Sequence, residues 1–152
     1  MRRFPAGPQL RAAGFHPDVW ASAESLWRSG HFQEAVAAAA RAVNARLQAR
    51  VDRRDVSETK LVQEAFTSKR PEPNKARLRL PGDRESDTWK SQQEGVLSFG
   101  VGCFRAIRNR LAHEATAASE PDEHLALEQL AAWSLFRPRG GQRRRRARHN
   151  PA

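Results

Sequence analysis

Apolar residues in this chain recur every three or four positions in five separate runs. That spacing is the one-face repeat of an amphipathic helix, and no stretch sustains the strict alternation of a half-buried strand. The chain is therefore expected to be all-α, a bundle of about five helices. The first run opens at Phe15-His16-Pro17-Asp18, where proline suits a first turn and the acid suits the dipole there. Val19, Trp20, Ala23, Leu26 and Trp27 follow at helical spacing, and Ser29-Gly30 stops them. His16 then reads as a helix-entry residue and His31 as a cap or link between helices. The second run, from about 32 to 51, sets Phe32, Val36, Ala39, Val43 and Leu47 on one stripe beside the small residues 35–40. Alanine there favours helix and lets a neighbouring helix come close.

A third, shorter helix is announced by Asp55-x-x-Glu58, which has the spacing of a capping box, ahead of Leu61, Val62, Ala65 and Phe66. From Thr67 to Asp87 the pattern collapses around Pro71, Pro73, Pro81 and Gly82, while Leu78 and Leu80 alternate with arginines. This reads as a long irregular loop with room for a short hairpin, and loops of that length inside a domain are often functional. The fourth helix should be the longest, from about 86 to 111, with Val96, Phe99, Gly100, Cys103, Ile107 and Leu111 on one face. Gly95, Gly100 and Gly102 inside it imply close helix contact or a kink. Ser119-Glu120-Pro121-Asp122 starts a last helix through Leu125, Leu127, Leu130, Ala131 and Trp133, ended by Pro138 and Gly140-Gly141. Residues 1–14 are an irregular lead-in, 15–136 the helical domain and 137–152 a tail.

The tail dominates the charge. The chain carries +10, and seven arginines lie beyond Phe136 with no acid among them, so the body alone is near +3. Arg143, Arg144, Arg145, Arg146 and Arg148 attract polyanions without sequence preference. A disordered, solvated terminus and an RNA-binding tail both fit them. The body, at this length, can bury about two-thirds of its unfolded surface. One cysteine, Cys103, excludes an internal disulfide, and its apolar neighbours Phe99, Phe104 and Ile107 suit a buried thiol. No Cys/His spacing suggests a metal, no cofactor is implied, and no signal peptide or membrane span is present, so a cytoplasmic protein is expected. The four tryptophans sit on apolar stripes, Trp89 the least firmly since it adjoins the loop.

The segment Phe104-Arg105-Ala106-Ile107-Arg108-Asn109-Arg110-Leu111-Ala112-His113-Glu114 closes an apolar helix with cations, an amide, an imidazole and a carboxylate. On an ideal helix Asn109 and His113 share a face within about 40°, and Arg105 lies four before Asn109 on the same side. Arg108 and His113 are about 140° apart on the same count. RNA cleavage needs a base for the ribose 2′-OH, a cation for the phosphate and an acid for the leaving oxygen. Histidine titrates near neutrality, and the arginine fork matches two phosphate oxygens. Arg108, Asn109 and His113 are thus the candidate catalytic set, with Arg105 and Glu114 as support. On residues alone, a basic helix end complementing its own dipole accounts for the same pattern.

Arg108-Asn109-x-x-x-His113 resembles the Arg-x(4–6)-His signature of the HEPN (higher eukaryotes and prokaryotes nucleotide-binding) superfamily. Phe15-His16-Pro17, Leu26 through Phe32, Glu34-Ala35-Val36, Ala42-Val43-Asn44, Gln93-Glu94-Gly95 and Ala112-His113-Glu114 resemble, in order, the Ymh-type bacterial hypothetical proteins often grouped with it. The similarity covers about Phe15 to Phe136. It implies a HEPN-like helical bundle that dimerises and places two Arg/His pairs in a shared cleft. It also implies a metal-independent endoribonuclease of phage-defence, toxin or abortive-infection type, with RNA as substrate and an antitoxin or defence protein as a further partner. The alternative it carries is a catalytically silent module that binds nucleotide, RNA or a protein. The chain departs from its relatives at Arg110, where they usually have proline. It departs again at the arginine run, either an RNA-binding addition or the scar of a shifted reading frame. A DNA-associated regulator acting through the tail lacks any helix-turn-helix spacing to support it.

Overall fold

The computed structural model of the chain describes residues 7–109 and 123–136. Regular structure among them is helical: α1 (Pro17–Arg28), α2 (Phe32–Val51), α3 (Glu58–Phe66), α4 (Asp87–Gly102) and α5 (Glu123–Leu135). A 3-10 turn at Ala12–Gly14 precedes α1, and a π-helical segment at Cys103–Arg108 follows α4. None of the described helices is long and apolar enough to cross a membrane. The described residues form two compact units, 7–43 with 103–109 and 123–136, and 44–102. His113, Glu114, the expected start of the last helix at Ser119 to Asp122, and the arginines of the tail lie outside the described residues.

The first unit is built from apolar periodicity. Pro17 opens α1 and the His16 Nδ1 caps it, accepting from the Asp18 N–H at 3.2 Å. The His16 backbone N–H donates to Ser134 Oγ on α5 at 2.8 Å, fixing where the two helices meet. At its other end the Gly30 N–H bonds the Trp27 carbonyl and the His31 N–H the Leu26 carbonyl. This paired closure requires the left-handed backbone that Gly30 supplies at φ 81°. Trp27 meets Trp20 and Phe32 edge-on, at centroid distances of 6.3 and 4.6 Å. In α2 the small belt is buried as expected, with Ala35, Val36, Ala39 and Val43 all inside.

α5 differs by one position from its expected stripe. Ala126, Leu130 and Trp133 face inward at four- and three-residue spacing, which leaves Leu125 exposed and Leu127 half-buried. Trp133 is fully buried and takes Phe104 of the π segment edge-to-face at 4.9 Å. Ring pairs in this geometry add about 1 kcal/mol beyond the area they bury.

The second unit is held differently. The capping box read in Asp55-x-x-Glu58 does not form: Ser57 precedes the helix and makes no side-chain cap. Asp55 is instead drawn back to Arg53, whose Nε and Nη2 reach its two oxygens at 3.0 and 2.6 Å, while Nη1 bonds Glu64. Arg53 is buried, and a buried guanidinium demands carboxylate partners more strongly than a helix end demands a cap. The Glu58 N–H finds its acceptor in Asn44 Oδ1 at 2.6 Å, across from the C-terminal half of α2.

The long loop between α3 and α4 is present as expected, but its only strand-like feature is one bridge between Glu72 and Lys75 around a turn with Asn74 at φ 59°. Polar bonds tie it down. The Leu78 N–H reaches the Ala65 carbonyl at 2.7 Å, and Arg77 Nη1 reaches the Glu64 carbonyl at 2.7 Å. Gln93 of α4 is the hub. Its Nε2 donates to the carbonyls of Phe66 and Leu78 at 2.9 and 2.8 Å, and its Oε1 accepts from the Leu80 N–H at 3.0 Å. The inward face of α4 therefore runs through Trp89, Gln93 and Gly100. Phe99, expected on the buried stripe, is exposed, and Val96 is half-buried. Trp89 is buried and donates through Nε1 to the Leu80 carbonyl at 2.9 Å. Gly95 and Gly102 have open space where a Cβ would stand, so close helix contact does not explain them.

Candidate functional site

The candidate catalytic segment does not leave α4 as the regular α-helix expected to run to about 111. After Gly102 the backbone switches to π-helical bonding over Cys103–Arg108. Such i→i+5 turns are rare and concentrate at functional sites. Each wide turn holds an extra residue, so positions beyond it are rotated from where an α-helical count places them. Cys103 and Phe104 face the interior, Arg105 and Ala106 are exposed, and Ile107, Arg108 and Asn109 are half-buried. Arg105 and Asn109, which an α-helical count puts on one side, thus differ in their shelter from solvent. The structure brings Arg108 and Asn109 together at the end of the π segment; His113 and Glu114 lie outside the described residues.

The inward side of this segment is unreactive. Burial pushes the Cys103 thiol up to about 11, so it is protonated at neutral pH and serves as packing. Behind it, the buried Trp133 Nε1 has no hydrogen-bond partner among the described residues. Polar chemistry is therefore confined to the outer edge, where Arg105, Arg108 and Asn109 stand. The other histidines serve local structure: His16 caps α1, and His31 Nδ1 lies 2.8 Å from Ser29 Oγ in the α1–α2 link. Glu34 is exposed in the first turn of α2.

Sequence reasoning missed a second feature. Within the second unit, the end of α2, α3, the following loop and α4 wall a pocket of about 900 Å³ whose lining includes Arg50, Arg70, Arg77, Arg79, Arg84 and Lys90. The visible signal was the alternation of Arg77 and Arg79 with Leu78 and Leu80. Two-residue spacing in an extended segment separates its polar and apolar sides, which here divide between loop anchoring and core.

No curated protein and no solved structure matches the chain. Residues 13–138 match the family described as "Protein of unknown function (Hypoth_ymh)", a span that includes all five helices, the π segment and Arg108-Asn109. The chain belongs to that Hypoth_ymh family.

Proposed function

We propose that the protein is a metal-independent endoribonuclease of the HEPN type, with Arg108, Asn109 and His113 as its working groups. The observation that carries this reading is the π-helical segment ending at Arg108, immediately before Asn109. A π turn beside clustered polar residues is a rare arrangement that recurs at functional sites, and here it sets the chain's direction just ahead of Asn109. The Hypoth_ymh match spans the positions of all three groups and carries no function of its own, so the reading rests on the residues and on their resemblance to the Arg-x(4–6)-His signature.

In the proposed reaction a neutral imidazole, His113, takes the proton from the ribose 2′-OH. The freed oxygen attacks the adjacent phosphorus, the bond to the 5′ oxygen breaks, and a protonated imidazole returns a proton to that leaving oxygen. A 2′,3′-cyclic phosphate and a 5′-hydroxyl result. Arg108 stabilises the charge gathering on the non-bridging oxygens, and Asn109 orients the phosphate. Two chains forming a shared cleft would let the histidine of one act beside the arginine of the other, which removes the angular gap within one helix. RNA is the proposed substrate, with Arg105 and the tail arginines as contacts, in a toxin or phage-defence setting.

The test is cleavage of a mixed RNA pool in EDTA. Wild type is expected to give cyclic-phosphate ends, and Arg108→Ala and His113→Ala each to lose about 100-fold or more in rate. Mixing the two inactive variants should restore part of the activity if the pair is shared between subunits. Cleavage surviving both substitutions rules the mechanism out, and a wild type without cleavage leaves a binding module.

A further inference from the structure

The pocket of the second unit has a charge pattern that the cleavage chemistry does not use. Its cations come from the loop, from α4 and, at Arg50, from the end of α2, and against them the lining offers the carboxylates of Glu85 and Glu94. Arg79 shows the imbalance. Its Nη1 is held by the Thr67 carbonyl and its Nη2 by the Lys69 carbonyl at 2.8 Å, both neutral acceptors. Burial first, then the charges of Arg84 and Arg77, hold its pKa below the ordinary guanidinium value. Like charges crowded in this way favour an anion between them.

Arg77 adds an unfilled donor. Its side chain is 5% exposed, and Glu72 stands 3.9 Å away. Nη1 serves the Glu64 carbonyl, yet Nε is buried without a partner among the described residues. A buried donor left unpaired is costly, and a phosphate oxygen is a strong acceptor for it. The guanidinium groups of Arg77 and Arg79 are already oriented by backbone carbonyls, so a ligand would not have to order them.

The remaining lining limits the ligand further. Phe66, Leu78, Trp89 and Leu97 give the pocket an apolar side, which inorganic phosphate would leave uncovered. The volume, about 900 Å³, lies in the range of small-molecule sites. The walls come from one loop and three helices, which encloses a single molecule better than a running strand. We propose that this pocket binds a nucleoside di- or triphosphate, its phosphate chain among Arg77, Arg79 and Arg84 and its base against Leu78, Trp89 and Leu97. The site stands apart from the cleavage chemistry, since none of its residues belongs to the Arg108 segment and its test reads no cleavage.

The experiment is calorimetric titration of the full chain with ATP, with pyrophosphate, with adenosine and with a short single-stranded RNA. Saturable binding of one ATP per chain is expected, at least about tenfold tighter than pyrophosphate or adenosine, because only ATP fills both sides. Arg84 and Lys90 are exposed, so the double variant Arg84→Glu, Lys90→Glu should keep the wild-type melt while weakening ATP by about tenfold or more. Glu94→Gln removes a lining carboxylate and should tighten ATP a few-fold, which decides the matter if the double variant fails to fold. Binding by the arginine tail would ignore both variants. The proposal is overturned if ATP does not saturate, if neither variant changes its affinity, or if RNA binds more tightly than ATP and is the ligand the variants affect.

Discussion

The two units reach order by opposite routes. In the unit containing α1, the first part of α2, the π segment and α5, aromatic and small apolar side chains interlock, as Trp133 does with Phe104. In the other, a loop bearing three prolines is fastened by polar side chains that reach backbone carbonyls, with Gln93, Arg77 and Arg79 each holding at least one. Apolar packing tolerates approximate geometry and needs only the right spacing. Polar fastening demands that every donor meet an acceptor, and its residues look like surface residues until they are placed. A segment too poor in apolar residues to fold by burial can still be ordered in this second way, and such a segment is left with cations lining open space.

That contrast can be broken by substitution. The largest effect should come from Trp133→Ala, a loss of about 4 kcal/mol read from urea unfolding, since the cavity lies in a core with no solvent access. Gln93→Leu should cost about 3 kcal/mol in the same measurement, although leucine is similar in size and more apolar. It would strand the carbonyls of Phe66 and Leu78 and the N–H of Leu80. A neutral or stabilising Gln93→Leu would mean that burial holds both units alike. The smallest effect should be acid sensitivity of the second unit. The Arg53 guanidinium holds the carboxyl groups of Asp55 and Glu64 below their ordinary values. A depressed folded value makes this contribution complete above the ordinary carboxylate range and lost as the pH falls through the folded values. The melting temperature should therefore decline below about pH 4, and Glu64→Gln should flatten the decline.

The sequence showed what depends on spacing. The bounds of α1 and α2, the stop at Gly30 and the entry role of His16 follow from periodicity and from residues with one conformational use. Three things escaped it because each depends on the partner rather than the spacing. Asp55 and Glu58 have capping-box spacing, but Arg53 competes for the same carboxylate. Phe99 fits an apolar stripe, yet α4 turns the face bearing Gln93 inward because the loop's carbonyls need a donor. The π segment has no periodic mark at all. Of the candidate site, Arg108 and Asn109 were legible as residue types with a known resemblance, whereas the pocket arginines were visible only as an interruption of a leucine pattern.

The lone thiol at the start of the π segment has a practical consequence. Cys103 is 4% exposed, and its proton is held well above neutrality, so both access and ionisation oppose attack by an alkylating or disulfide reagent. Modification must wait for that stretch of helix to open. Its labelling rate in native buffer therefore measures how often the segment carrying Arg108 unwinds, with no engineered probe. Addition of RNA then becomes a kinetic experiment: a substrate that grips the segment slows the labelling, and one that binds elsewhere leaves it unchanged.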